Sequence, residues 1–125
     1  MAIEQAQLQC SWASVSGGLA SQQYYAVTIG SSGVDVATAG KNCTGILQNA
    51  PGAYQAAEIC TFGITKAKIT ASSNVSVGTL LDVDSGGTLK ATAGGVVVAR
   101  ALEACNSAVI NTITVELLKS NNVFA

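Results

Sequence analysis

The chain has 125 residues, of which 49% are hydrophobic and only 10% charged, with six Lys and Arg against seven Asp and Glu and no His. This length suits one domain with its own core, and the charge lies far below the roughly 25% usual for a soluble domain, so neutral residues must form much of an outer surface suited to contact with other protein surfaces. A net charge of −1, with Lys66 and Lys68 the only close basic pair, argues against a nucleic-acid partner, and no apolar run of membrane-spanning length argues for a membrane.

Residues 1–19 are neutral and Gln-rich and read as an extended N-terminal arm, with residues 120–125 as a C-terminal tail and 20–119 as a β-rich domain. The start MAIEQAQLQ has Glu4 and three Gln where a secretion signal needs a basic start and an apolar run, so the expected setting is a cytosol. Residues 24–30 alternate, with Tyr25, Val27 and Ile29 on one face and Tyr24, Ala26 and Thr28 on the other. Gly30-Ser31-Ser32-Gly33 then turns the chain into a partner strand at 34–37 that points Val34 and Val36 inward and Asp35 out. The string GILQNAP, residues 45–51, opens as a short buried strand. Its end, Asn49-Ala50-Pro51-Gly52, predicts a tight surface corner, because proline cannot donate to a ladder and glycine tolerates positive φ.

Residues 58–69 form a long extended segment whose alternation slips. Cys60, Phe62 and Ile64 share a face with Lys66 and Lys68, while Thr65, Ala67 and Ile69 take over the apolar role, so a bulge or change of environment is expected at 63–65. Leu81 and Val83 alternate with Asp82 and Asp84, and Asp84-Ser85-Gly86-Gly87 leads into a hairpin return at 88–91 that Ala93-Gly94-Gly95 breaks. Residues 96–103, within the string VVVARALEA, are nearly all apolar and predict burial on both sides. Residues 109–119 close the pattern, with Ile113, Val115 and Leu117 facing one way and Thr112, Thr114 and Glu116 the other. Short strands with Gly turns, and no helical period longer than two turns, predict an all-β fold: a small β-barrel or sandwich with the N-terminal arm attached.

Reactive groups are sparse. Without His, acid-base or nucleophilic catalysis would fall to carboxylates, and the only close pair, Asp82 and Asp84, sits at i, i+2 on the outer face of one strand, as at a solvated hairpin end. No enzyme, cofactor or metal site is therefore expected: Cys10, Cys43, Cys60 and Cys105 stand far apart with no CxxC pair, and the calcium-loop pattern fails after Gly86. Small buried thiols or disulfides are both open for the four cysteines, and the pairing is not readable. Phe62 reads as core. The candidate contact residues are Trp12, an interface anchor or a residue packed on its own barrel; Tyr54, just after the Pro51 corner; and Tyr24, Lys66 and Lys68.

The order of these features resembles the head decoration proteins of tailed bacteriophages, also called capsid cement proteins. The matching pieces are the strand QYYAV at 23–27, GILQNAP at 45–51, the Gly63-Ile64-Thr65-Lys66 strand end, Gly78-Thr79-Leu80 followed by Gly86-Gly87, ALEA at 101–104, and a closing strand, spanning about 20–118. The resemblance implies a β-rich domain that forms a homotrimer on the outer surface of an icosahedral shell, near three-fold positions, and clamps neighbouring major capsid subunits. It implies a virion protein assembled in a host bacterial cytoplasm, with no active site. The arm at 1–19 lies outside the resemblance and reads as a clamp on the capsid, from its neutral make-up and Trp12. Two other classes remain open from the residues alone: a self-polymerising tube or fibre subunit, and a carbohydrate-binding β-domain in which Tyr24, Tyr25 and Tyr54 stack on sugars.

Overall fold

One fourteen-residue strand, AAEICTFGITKAKI, runs through two cores, and the rest of the fold is arranged around it. The structure, a computed structural model, describes residues 8–118, with side chains from Trp12 onward. In chain order the strands are β1 (Leu8–Ala13), β2 (Ala26–Gly30), β3 (Gly33–Val36), β4 (Gly45–Leu47), β5 (Ala56–Ile69), β6 (Leu80–Val83), β7 (Leu89–Ala91), β8 (Ala99–Ala101) and β9 (Asn111–Leu117), with a short 3-10 turn at Ser85–Gly87. The all-β expectation holds, and of barrel and sandwich the fold is a barrel with additional strands.

The second half of β5 belongs to that barrel. β5, β7, β6, β8 and β9 pair in this order, and β9 pairs back onto β5 from Gly63↔Leu117 to Ile69↔Asn111, which closes five strands. On the other side the ring closes through one parallel bridge between β5 and β7, Ile69↔Leu89. The barrel interior takes Ala67 and Ile69 from β5, Leu81 and Val83 from β6, and Ile113 and Val115 from β9.

The first half of β5 lies between β4 and β1, in a smaller lobe ordered β3-β2-β4-β5-β1. After β1 the chain crosses to β3, where Ser14 bridges Val34 and the Val15 N–H donates to the Val34 carbonyl at 3.1 Å. This curls the sheet around a second core of Leu19, Val27, Val34, Leu47, Ala57 and Ile59. β4 is central and buried on both faces, with Ile46 in the barrel core and Leu47 in the smaller one.

The slip in the alternation of β5 is real but sits at Thr61, before the expected 63–65, where the register against β1 jumps from Leu8↔Phe62 to Gln9↔Cys60. Cys60 faces the barrel core before this point and Ala67 and Ile69 face it afterwards, so the inward parity changes from even to odd positions. The extra residue flips the parity and lets the strand pass from one core to the next, and Gly63 follows it with a φ of +105°.

Within the arm, residues 8–13 pair with β5 from Leu8↔Phe62 to Ala13↔Ala56, and Ser14 and Leu19 are buried. Residues 1–7 and 119–125, and with them the whole of the proposed tail, lie outside the described residues. Several local expectations are corrected. Phe62 is not core; it is 57% exposed, because the bulge turns it outward. β2 begins at Ala26 rather than at residue 24, since Tyr24 has φ +69° and breaks the extended run. Burial on both sides holds for Val96, Val98, Ala99 and Ala101 but not for the exposed Arg100 and Glu103, and β9 starts at Asn111, leaving Val109 and Ile110 exposed. Pro51 is buried within its corner.

Candidate interaction surface

The GILQNAP string makes a strand and a fastened corner. Gly45 is required by close approach, since a Cβ there would collide with the Cys60 carbonyl oxygen. Gln48 uses its amide twice, donating to the Ile46 carbonyl at 3.0 Å and bonding the Thr65 hydroxyl at 2.8 Å, which ties the corner to the second half of β5. Asn49 acts as a stand-in strand residue: its Oδ1 accepts from the Glu58 N–H and its Nδ2 donates to the Ala56 carbonyl, both at 3.0 Å. Such side-chain substitutes satisfy backbone groups where the ladder ends.

Beyond the corner, residues 51–55 are held against the chain that follows β1. The Ser14 hydroxyl donates to the Gly52 carbonyl at 2.6 Å, the Ser14 N–H to the Gln55 carbonyl at 2.9 Å, and the Leu19 N–H to the Pro51 carbonyl at 2.8 Å. Gln55 Oε1 accepts from the Gly52 N–H at 2.7 Å and fixes the loop from within. Tyr54 caps this loop at φ +59° and is 73% exposed. Trp12, two residues before Ser14 and opposite Ala57, is 52% exposed. The structure thus brings Trp12 and Tyr54 to one fastened end of the smaller lobe.

The other candidates lie elsewhere. Tyr24 is half-buried against the barrel core, where its N–H donates to the Leu47 carbonyl at 2.8 Å and its carbonyl accepts from the Lys68 N–H at 3.0 Å, so it joins the two lobes. Lys66 and Lys68 stand outside the barrel on β5, opposite Thr114 and Thr112, with Lys66 exposed and Lys68 half-buried.

Glu103, at the end of VVVARALEA, is exposed and clamps the edge of β9, its Oε1 accepting from the Thr114 N–H at 2.8 Å. Hydrogen bonding by Thr114, through its side chain and then its N–H, with a smaller contribution from the Lys66 ammonium, holds the Glu103 carboxyl below the usual carboxylate range. A folded value below the unfolded one stabilises the fold above the ordinary carboxylate pKa, and this contribution is lost as pH falls through the folded value. In an NMR titration the Glu103 midpoint is expected below that of the unfolded chain; coincident midpoints would refute the clamp.

Asp82 and Asp84 are not the solvated pair that the alternation implies. Asp82 is 1% exposed. Its Oδ2 accepts from the N–H groups of Gly95 at 3.1 Å and Ala93 at 3.4 Å and from the Thr92 hydroxyl at 3.3 Å. Oδ1 has no aligned hydrogen bond and is balanced by the Lys90 ammonium 3.2 Å away, directly across the β6–β7 hairpin. Asp84 instead accepts from the Thr70 hydroxyl at 2.7 Å. The two carboxylates hold loops, and the chain segment 92–96 folds over the face of β6 that would otherwise meet water. Two signals mark this arrangement in the sequence: Lys90 falls opposite Asp82 in the hairpin, and Gly94-Gly95 permits a backbone to approach a carboxylate. Cys60 and Cys105 are buried in the barrel core, as core thiols would be.

The chain matches no family model and no curated protein. Among solved structures it is similar to the crystal structure of the N base of the head fiber gp8.5 in bacteriophage phi29, with a TM-score of 0.58 and 15% sequence identity, over 90% of this chain and 100% of that one. At that identity the two proteins share a fold, and the shared part includes nearly all of both chains.

Proposed function

We propose that the chain is a capsid decoration protein, which binds the outer surface of a phage head as a homotrimer and braces contacts between major capsid subunits. The observation that carries this reading is the end-to-end fold likeness to the base of a phage head fiber, together with the ordered set of strings from residue 23 to residue 104 that resembles the cement proteins. The mechanism is physical rather than catalytic. A closed trimer that touches several shell subunits lets go only when all its contacts fail together, so modest individual contacts add up to a strong brace against internal pressure. Such a protein needs neutral contact surface and a rigid scaffold, and needs no cofactor.

A second reading is favoured by the neighbour itself, which is the base of a projecting fiber: this chain would then seat on the head as a mount for a further structure. The test is electron microscopy of phage heads lacking this protein, with and without the purified chain added. The expected result is new density at three-fold positions and a higher temperature of head opening. Absence of binding, or growth of filaments from the pure protein alone, would overturn the decoration reading.

A further inference from the structure

Strand register makes one outer wall of the barrel a single continuous surface. After the slip at Thr61 the even positions of β5 point outward, so Phe62 is 57% exposed and Lys66 is exposed, while Thr65, Ala67 and Ile69 are buried. Directly paired residues share a face, and Ile64 pairs with Glu116, Glu116 with Arg100, and Arg100 with Leu80, in one row across β5, β9, β8 and β6. The next rows pair Lys66 with Thr114 and Lys68 with Thr112. On β6 the wall stops after Leu80, because the segment 92–96 folds over Asp82, the next outward position. At the Phe62 end lie the exposed Leu80 and the Arg100–Glu116 ion pair, 3.7 Å apart. At the other end Lys66 and Lys68 stand two residues apart, and neither forms an ion pair among the described residues. The carboxylates of this wall are already engaged, Glu116 by Arg100 and Glu103 by the Thr114 N–H. Three cations against two carboxylates leave an excess of positive charge beside an exposed aromatic ring.

We infer that this wall is the face that seats on the phage shell, against an acidic strip of the major capsid protein that takes up Phe62, an assignment that rests on the decoration reading. Charge complementarity selects the occupant. A second copy of the chain offers no matching surface among the described residues. Its exposed carboxylates outside the wall are Asp35 and Glu58, which lie on β3 and β5 with two strands between them, and the Asp35 carboxylate already accepts from the Val36 N–H at 2.8 Å. A polyanion such as a nucleic acid would be repelled by Glu103 and Glu116 and would leave Leu80 against water. Size agrees with a shell contact. The wall runs about 20 Å from Phe62 to Lys68 and about 15 Å across its four strands, which is small beside the roughly 800 Å² per partner of a standard stable interface. A single copy would hold weakly, and three copies in one ring would hold strongly, as a brace with several attachment points requires.

The test measures binding of the full chain to phage heads lacking it and to duplex DNA. It compares the wild type, Phe62→Ser, the double variant Lys66→Gln with Lys68→Gln, and Lys41→Gln, an exposed cation outside the wall. Each is checked by circular dichroism, thermal melting and solution mass for an intact fold and assembly. Wild type and Lys41→Gln are expected to bind heads alike, and Phe62→Ser to bind about tenfold more weakly or worse, the scale of a lost aromatic anchor. The lysine variant should bind about tenfold more weakly at low salt, with the gap to wild type closing as salt rises. Equal binding by all variants, with wild type on the heads, would overturn the inference and leave the decoration reading standing. Variants that lose the assembly state of the wild type would make the wall a contact between copies, which also overturns the inference. DNA binding lost in the lysine variant, with head binding intact, would assign the wall to a nucleic acid instead. Wild type that binds no head would sink the decoration reading, and the inference with it.

Discussion

Asp82→Ala is expected to lower the stability of the fold by about 3 kcal/mol, because removing one partner of a buried ion pair leaves the rest of its network unmatched. For a chain of this size that corresponds to a melting point lower by roughly 12 °C. The carboxylate is almost wholly buried, and four donors converge on it from Lys90, Thr92, Ala93 and Gly95. Lys90 is 30% exposed and recovers part of its hydration when the partner goes, which places the loss toward the lower end of the range for such pairs. The segment 92–96 would also come loose, since only the Thr92 N–H to Leu80 and the Val96 N–H to Gly40 bonds would still hold it. Asp82→Asn should cost roughly half as much, because its amide oxygen still accepts from the Gly95 and Ala93 N–H groups while the attraction for Lys90 is gone. A melting point for Asp82→Ala within a degree or two of the wild type would show that the loop is held by packing alone.

The two aspartates mark where sequence pattern and fold part company. Alternation is a statement about one strand with one wet face, and it reads correctly in β3 and β9, where Asp35 is exposed and Ile113, Val115 and Leu117 are buried. It fails in β6, where Leu81, Asp82 and Val83 are all buried, because a loop distant in sequence covers the outer face and no local pattern encodes that cover. Phe62 fails for a related reason: a bulge was legible as a slip of phase, but its place, at Thr61, and which side of it faced water depended on where β1 and β9 dock. β1 itself had a signal, the alternation of Leu8, Cys10 and Trp12 with Gln9 and Ser11, which its neutral surroundings masked. Of the candidate contact residues, Trp12 and Tyr54 are exposed, as a contact residue has to be. The place of Tyr24 was not legible, since only the three-dimensional junction shows that its backbone ties the lobes together.

The second large effect is expected at Gly45, where the strand pairing leaves no room for a side chain. A Cβ there would overlap the Cys60 carbonyl oxygen and come within 2.8 Å of Ile59 Cγ2 and 2.9 Å of the Cys60 carbonyl carbon. Two of these three atoms are backbone, and β5 is fully buried at Ile59 and Cys60, so the obstruction cannot swing aside as a surface side chain would. Gly45→Ala must therefore push β4 away from β5, stretching Ile46↔Cys60 and Leu47↔Ile59, the pairs by which β4 reaches both cores. Overpacking of a fitted core costs about 1–3 kcal/mol, and the rigid obstruction here argues for the upper end, about 3 kcal/mol. Gly17→Ala supplies the contrast: nothing lies within 4 Å of a Cβ at that position and its φ is not positive. There the substitution should be neutral or slightly stabilising, by up to about 1 kcal/mol, through the lower entropy of the unfolded chain. In urea unfolding the midpoint should fall for Gly45→Ala, with the slope unchanged, and hold or rise for Gly17→Ala. Equal midpoints for the two variants would mean that β4 can shift against β5 without penalty, and that the glycine of GILQNAP is not a packing requirement.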